Sequence, residues 1–298
     1  MEREKPSHAA AVPTIWQGLL AEVTANPRDL SVAQTSDKPT RSVNAADSVA
    51  APPAGVDGAM RKALDALPKS DGRYTVAVED LNGRAAAVYG GTGAYDTASI
   101  VKVDILATLL LDAQDNGAPL TAKQQKLATA MIRKSDNAAT NALWKDIGGT
   151  KGLDAANKRL GLKATHGDPD GHWGLTRTTA ADQMVLLEAV LGDGHSPLTA
   201  HSRAYLRSLM STVEKDQRWG ISAADDGKGS AGGPALKNGW LPRSGTDLWD
   251  VNSIGRVEYG GRTLLVAVLS DGQPTYKTGV DLVERAAATA VKAFVKAE

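Results

Sequence analysis

Two rhythms of apolar residues alternate along this chain. Val56, Met60, Ala63, Leu64 and Leu67 recur at helical spacing and stop at Pro68, which predicts a helix ending there. Tyr74–Glu79 and Ala85–Tyr89 then read as two strands joined through Asp80-Leu81-Asn82-Gly83, whose Asn-Gly pair favours a hairpin because both residues tolerate positive φ. From about Ser99 to Met210 the pattern is mainly helical. Strand patterns return at Ala235–Leu241, Asp250–Glu258 and Thr263–Ser270, the last two separated by Tyr259-Gly260-Gly261. A final helix carries Val280, Val283, Ala287, Val291 and Phe294 or Val295 on one face. This order predicts an α+β fold: an antiparallel five-stranded sheet flanked by its terminal helices, with an all-helical subdomain (about residues 99–230) inserted between the second and third strands.

Composition sets the boundary of that unit. Residues 1–53 are rich in Ala, Pro, Ser, Thr and Asp and end in Ala50-Ala51-Pro52-Pro53, the signature of an extension and linker ahead of a domain at 54–298. Within it, Ile15, Trp16, Leu19, Leu20 and Val23 predict a short helix that either lies on the main domain or meets a partner. Ala9–Trp16 comes nearest to a signal-peptide core, yet Pro13 and Thr14 interrupt it, so no leader is read there.

The 34 basic residues equal the 34 acidic ones, and a balanced field gives no attraction for nucleic acid or an anionic membrane surface. Cys is absent, which removes disulfides, thiolate metal sites and a cysteine nucleophile. No apolar run reaches the 18 to 20 residues of a membrane span. A monomer is expected.

Chemistry first enters at Ser99-Ile-Val-Lys102, the one Ser-x-x-Lys of this kind in the chain. Three residues apart on a helix, both side chains share a face, and the amine reaches the hydroxyl proton. The residues that follow, Val103 to Leu111, are so apolar that Lys102 is drawn into a desolvated interior, where its charged form is disfavoured and it becomes a base. Ser99 falls in the first turn, beside free backbone N–H groups. Ser135-Asp136-Asn137 opens a second helix, and Lys237-Asn238-Gly239-Trp240 lies on the first late strand, where a glycine admits a close backbone neighbour. Each of these has a plain structural explanation as a cap or an edge-strand bulge. Their coincidence in one chain does not.

In this combination the chain resembles the active-site-serine penicillin-recognising enzymes, and within them the class A β-lactamase-like serine hydrolases. The resemblance spans Gly55 to Glu298 and extends along Lys134–Gly149 well beyond the three motif residues. The 102 residues from Ser135 to Lys237 suit class A, whereas the 36 from Ser99 to Ser135 are few and imply a trimmed helical region. The resemblance implies that Ser99 attacks a carbonyl, Lys102 removes its proton, and the N–H groups of Ser99 and Trp240 meet the oxyanion. Ser135 passes the proton to the leaving nitrogen, Lys237 supplies charge for a substrate carboxylate, and Asn137 binds the substrate amide. Asn238 stands where the family has a hydroxyl residue and still offers an N–H, so Asn238, Gly239 and Trp240 are expected to bind substrate with Asn137.

The literal Lys277-Thr278-Gly279 is rejected as the third motif, because only one amphipathic helix follows it whereas the motif needs two further strands and a helix. Trp219, Trp240 and Trp249 are expected as wall or core, with Trp240 in the pocket. Class A enzymes also place a water-activating glutamate in a loop after the second motif. Here Leu160–Thr179 contains no glutamate, and Asp168, Asp170 and His172 are the nearest replacements. Their alternation resembles a metal cluster, but Asp-Pro-Asp-Gly is turn chemistry first, so no metal or other cofactor is expected.

The expected activity is therefore a serine acyl-enzyme hydrolase of small molecules, namely β-lactams, D-amino-acid peptides or esters, with slow deacylation. The alternative is a covalent penicillin-binding receptor, or a D-alanyl peptidase or acyltransferase. The resemblance also implies a secreted or cell-envelope protein.

Overall fold

Leu264–Leu269 is an unbroken apolar run, and a strand without polar alternation needs cover on both faces. In the computed structural model, which describes residues 54–83, 85–228 and 233–298, this run lies in the central strand of a five-stranded sheet. The strands are β1 (Arg73–Asp80), β2 (Ala86–Tyr89), β5 (Ala235–Arg243), β6 (Leu248–Tyr259) and β7 (Arg262–Gln273). Their spatial order is β2-β1-β7-β6-β5, and every neighbouring pair is antiparallel. Two-residue strands β3 (Tyr95–Asp96) and β4 (Arg177–Thr178) form a second small sheet that was not expected, being too short to show any alternation.

Side chains alternate across β7 as the pleat requires. Leu264, Val266 and Val268 pack with the terminal helices α1 (Ala54–Asp65) and α8 (Tyr276–Ala297), against Met60, Leu64, Val283 and Phe294. Leu265, Ala267 and Leu269 turn to the helical block. That block is the predicted insertion resolved into six helices: α2 (Val101–Asp115), α3 (Ala122–Arg133), α4 (Asn137–Asp146), α5 (Gly149–Leu160), α6 (Ala180–Leu191) and α7 (Ala200–Ser211). Every residue of α2 from Val101 to Leu111 is buried, so this helix is enclosed on all sides.

The hairpins form where the sequence placed them. Asp80 Oδ1 accepts from Asn82 N at 2.8 Å and pins the β1–β2 turn. Gly260 and Gly261 both have positive φ, 59° and 77°, as the two central positions of a type I′ turn demand. The expected extension over residues 1–53, with its helix near Ile15–Val23, lies outside the described residues. Among the described residues no helix is long and apolar enough to cross a membrane.

Candidate active site

The site forms where the edge strand β5 meets the start of α2. Gly239 makes that meeting possible: a Cβ there would stand 2.7 Å from Ser99 N, 2.8 Å from Thr97 O and 2.9 Å from Ile100 N. All three atoms are backbone, so no side chain fits. Ser99 sits in a 3₁₀ turn, Ala98–Ile100, immediately ahead of α2 rather than within its first α-helical turn. Ala98 takes φ +47°, a strained value for a residue with a Cβ, and the strain lies directly before Ser99.

Asn252 holds this turn from the neighbouring strand. It pairs with Gly239 in the β5–β6 register, and its Nδ2 donates to Asp96 O at 2.9 Å and Thr97 O at 3.2 Å. Its Oδ1 accepts from Ser270 N. Sequence reading passed over Asn252, although a polar Asn-Ser pair inside a buried strand was a usable signal, since buried polar groups require partners.

Lys102, one turn on from Ser99, is fully buried. Its Nζ donates to Ser135 O at 2.7 Å, Ser135 Oγ at 3.0 Å and Asn137 Oδ1 at 2.8 Å. The Trp173 ring covers it at 4.9 Å. Burial lowers the Lys102 pKa to about 7, and the Asp136 carboxylate opposes part of that shift.

Ser135 occupies the junction between α3 and α4 with φ +56°. That backbone turns both its carbonyl and its hydroxyl toward Lys102. Asp136 follows as the N-cap of α4, its Oδ1 accepting from Ala139 N at 2.6 Å. The second motif thus divides its work: Ser135 and Asn137 face the amine, and Asp136 caps the helix.

Lys237 approaches the same hydroxyl from β5. Its Nζ donates to Ser135 Oγ at 3.0 Å and to Asn238 O at 2.9 Å. It is almost wholly buried, and that burial, reinforced by the positive charge of Lys102, holds its pKa well below the ordinary lysine value. Two of its N–H groups are thus engaged inside the protein, and Lys237 does not itself line the cleft.

Asn238 also departs from expectation. Strand alternation turns its side chain away from the cleft, where it is buried and fully partnered. Its Nδ2 donates to Gln217 O at 2.9 Å and Trp219 O at 3.0 Å, and its Oδ1 accepts from Ser253 Oγ at 2.6 Å. Asn238 is therefore a packing residue and does not reach a ligand. Lys277, by contrast, lies at the exposed start of α8, paired with Asp281 at 2.6 Å beside the Thr275 capping box.

The cleft itself encloses about 660 Å³ and is lined by Ser99, Ser135, Asn137 and His172 together with three indoles, Trp173, Trp240 and Trp249. The Tyr276 ring stands 5.7 Å from both Trp240 and Trp249, while the buried Trp219 backs Trp240 at 5.9 Å. Trp173 is fixed by a 2.8 Å bond from its Nε1 to Asn141 Oδ1. Asp96 pins the rim by pairing with both Arg177 and Arg243.

Of the three residues proposed to replace the glutamate, only His172 lines the cleft. Its Nδ1 lies 3.0 Å from Asp168 Oδ2, which also accepts from His172 N at 3.1 Å. The backbone N–H of His172 is the main cause holding the Asp168 carboxyl below its usual range. Asp170 is exposed, and one ligand atom from each of the three residues falls within 4.8 Å of the others. Those contacts form a capped turn, as the Asp-Pro-Asp-Gly sequence demands.

Comparison with known proteins places this arrangement in context. A sequence model described as the "Beta-lactamase enzyme family" matches residues 114–294, more than half of the chain. A putative lipoprotein, LppW, of Mycobacterium tuberculosis is 28% identical over 187 residues, and a protein of the same name in Mycobacterium bovis matches equally. The match takes in 61% of this chain and 58% of LppW, so the chain spans less than two thirds of those relatives' length. Among solved structures, the TLA-1 extended spectrum β-lactamase superposes with a TM-score of 0.69 at 16% identity, over 81% of this chain and 99% of its own. A β-lactamase from Streptosporangium roseum gives 0.64 at 19% identity, over 81% and 98%. An ancestral class A β-lactamase gives 0.62 at 20% identity, over 80% and 100%. At these identities the superpositions speak for the fold.

Proposed function

The chain belongs to the beta-lactamase enzyme family, and from that premise we propose that it is a serine hydrolase working through an acyl-enzyme on Ser99. In its neutral form Lys102 keeps at most two of its three donated bonds to Ser135 and Asn137, and the lone pair so freed takes the hydroxyl proton as Ser99 Oγ bonds to the substrate carbonyl carbon. The N–H groups of Ser99 and Trp240 receive the oxyanion, a geometry supported by the close seating of Gly239 on the Ser99 turn. As the tetrahedral species collapses, the carbonyl carbon parts from its nitrogen or oxygen. Ser135 gives its proton to that leaving atom and is recharged from Lys102. The observation that carries this reading is the meeting of Lys102 and Lys237, each at 3.0 Å, on the single hydroxyl of Ser135.

Release of the acyl group is the slow step. No glutamate stands in the loop, so His172, oriented by Asp168, is the group that activates water. It lies exposed at the rim rather than enclosed beside the bond to be cut. General-base assistance is worth roughly 100- to 10,000-fold, so weak assistance leaves a long-lived adduct. The same feature supports a second reading, a covalent receptor that acylates and holds its ligand.

A time course of intact protein mass, taken with benzylpenicillin and with an aryl ester, separates the two steps. We expect an adduct on Ser99, absent in Ser99→Ala, that forms faster than it decays. An adduct surviving the Ser99→Ala substitution sinks the assignment. The lipoprotein name carried by the mycobacterial relatives supports a cell-envelope location, which fractionation of the native host cell tests.

A further inference from the structure

Charge-paired recognition of a substrate carboxylate needs a cation at the cleft wall, and the Ser99 and Ser135 hydroxyls that line this cleft carry none. Asn238 fills the position of the family's hydroxyl residue, yet its amide is locked onto Gln217 O, Trp219 O and Ser253 Oγ. Lys237 is buried behind Ser135, with two of its N–H groups committed to Ser135 Oγ and Asn238 O. No lysine or arginine is among the residues lining the cleft. The nearest rim guanidinium groups, Arg177 and Arg243, pair with Asp96, and Arg243 lies 3.7 Å from Asp250 as well. His172 is the one titratable side chain in the lining, and it is already coupled to the Asp168 carboxylate.

The apolar side of the wall is correspondingly strong. Aromatic residues make up 4% of the chain, yet three of its six tryptophans line this one cleft. Two of them lean on Tyr276, so the wall is held before any ligand arrives. Leu175, Leu241 and Pro242 continue it. Such a surface rewards a flat or apolar group and leaves an arriving carboxylate partly desolvated without an ion-pair partner.

We propose that this site is built for uncharged esters or amides carrying an aromatic or other apolar group, and that it selects against acyl donors bearing a carboxylate beside the scissile bond. The inference concerns the same cleft as the acyl-enzyme reading and rests on it for turnover, but not for binding.

Benzylpenicillin and its methyl ester form a suitable pair, since they share the phenylacetyl group and the lactam and differ by one negative charge. Equilibrium binding of both to Ser99→Ala by calorimetry reads the pocket without any acylation. Intact-mass kinetics on the unmodified full chain read the chemistry. We expect the methyl ester to bind at least tenfold more tightly and to acylate Ser99 correspondingly faster. Trp249→Ala should weaken methyl-ester binding about tenfold. Tighter binding of the ester without any adduct on the unmodified chain upholds this inference while removing the acyl-enzyme reading. Equal or tighter binding of the free acid overturns the inference whether or not Ser99 is acylated, and so does unchanged ester affinity in Trp249→Ala.

Discussion

If Lys102 is the base, acylation of Ser99 must follow the neutral fraction of that amine. With a pKa of about 7, that fraction is about 0.1 at pH 6, about 0.5 at pH 7 and about 0.9 at pH 8. The acylation constant should therefore rise about tenfold from pH 6 to pH 8 and then level off. An ordinary lysine, near 10.5, would give about a hundredfold rise over the same interval and still climb tenfold per unit at pH 9. The two cases differ in shape as well as size. Burial is the main cause of the shift and the Asp136 carboxylate opposes it, so Asp136→Asn supplies the sharper test. Asparagine also caps helices and can keep the bond to Ala139 N, so the fold should survive while the opposing charge is lost. The midpoint should then move to lower pH. The assay is single-turnover acylation by a neutral aryl ester from pH 5.5 to 9.5, read by stopped flow and checked by intact mass. A profile still rising at pH 9, or a midpoint that moves upward in Asp136→Asn, would refute the reasoning.

Lys237→Ala should slow acylation by on the order of 100-fold, as expected when a preorganised partner of Ser135 is removed, while Lys277→Ala should leave it unchanged; the reverse ranking in a labelling assay overturns the choice of third motif. His172→Ala and Asp168→Asn should each lengthen the life of the acyl adduct in intact-mass decay without slowing its formation, and unchanged decay in both assigns water activation to another group. Asn252→Ala should lower the acylation rate constant more than it weakens binding of a neutral ester, because Asn252 positions the turn that carries Ser99 and touches no ligand; equal losses in the two measurements argue against a positioning role. Asp104, enclosed in α2, has its carboxyl pushed up by burial to about 8, so the native state keeps a proton that the unfolded chain releases near the ordinary value of 3.8. Its stability contribution is complete below that ordinary value and is lost as pH rises toward 8, so Asp104→Asn should gain thermal stability over the unsubstituted chain between pH 5 and pH 7; a melting difference independent of pH contradicts this.

What the sequence disclosed and what it hid divide along physical lines. Periodicity announced the sheet, its central apolar strand and the enclosed helix α2, because burial on one or both faces leaves a direct trace in the spacing of apolar residues. Motif spacing brought Ser99, Lys102, Ser135 and Lys237 into a single hypothesis, and in the fold the two amines meet on one hydroxyl. The orientation of Asn238 was not legible. Alternation says only that it opposes Lys237 and Gly239, and which face looks into the cleft depends on where β6 and the Trp219 loop pack. Asn252 escaped for the same reason, since its partners Asp96 and Thr97 lie more than 150 residues away along the chain. Trp173 opens a single 3₁₀ turn, Trp173–Leu175, too short to show periodicity, and its place over Lys102 goes with the bond to Asn141 and the β3–β4 pairing.

One cause underlies both the chemistry and the selectivity proposed for this cleft. Enclosing two amines on one hydroxyl brings the Lys102 pKa down to about 7, lowers that of Lys237, and draws both ammonium groups back from the cleft wall. The first effect produces a base; the withdrawal from the wall leaves no cation lining the cleft to anchor an anion. An enzyme using this arrangement gains its proton acceptor at the expense of electrostatic substrate capture, and must bind by contact area instead, which the tryptophan wall supplies. Tight binding of carboxylates would require a cation at the cleft wall, and the residues that line it include no lysine or arginine.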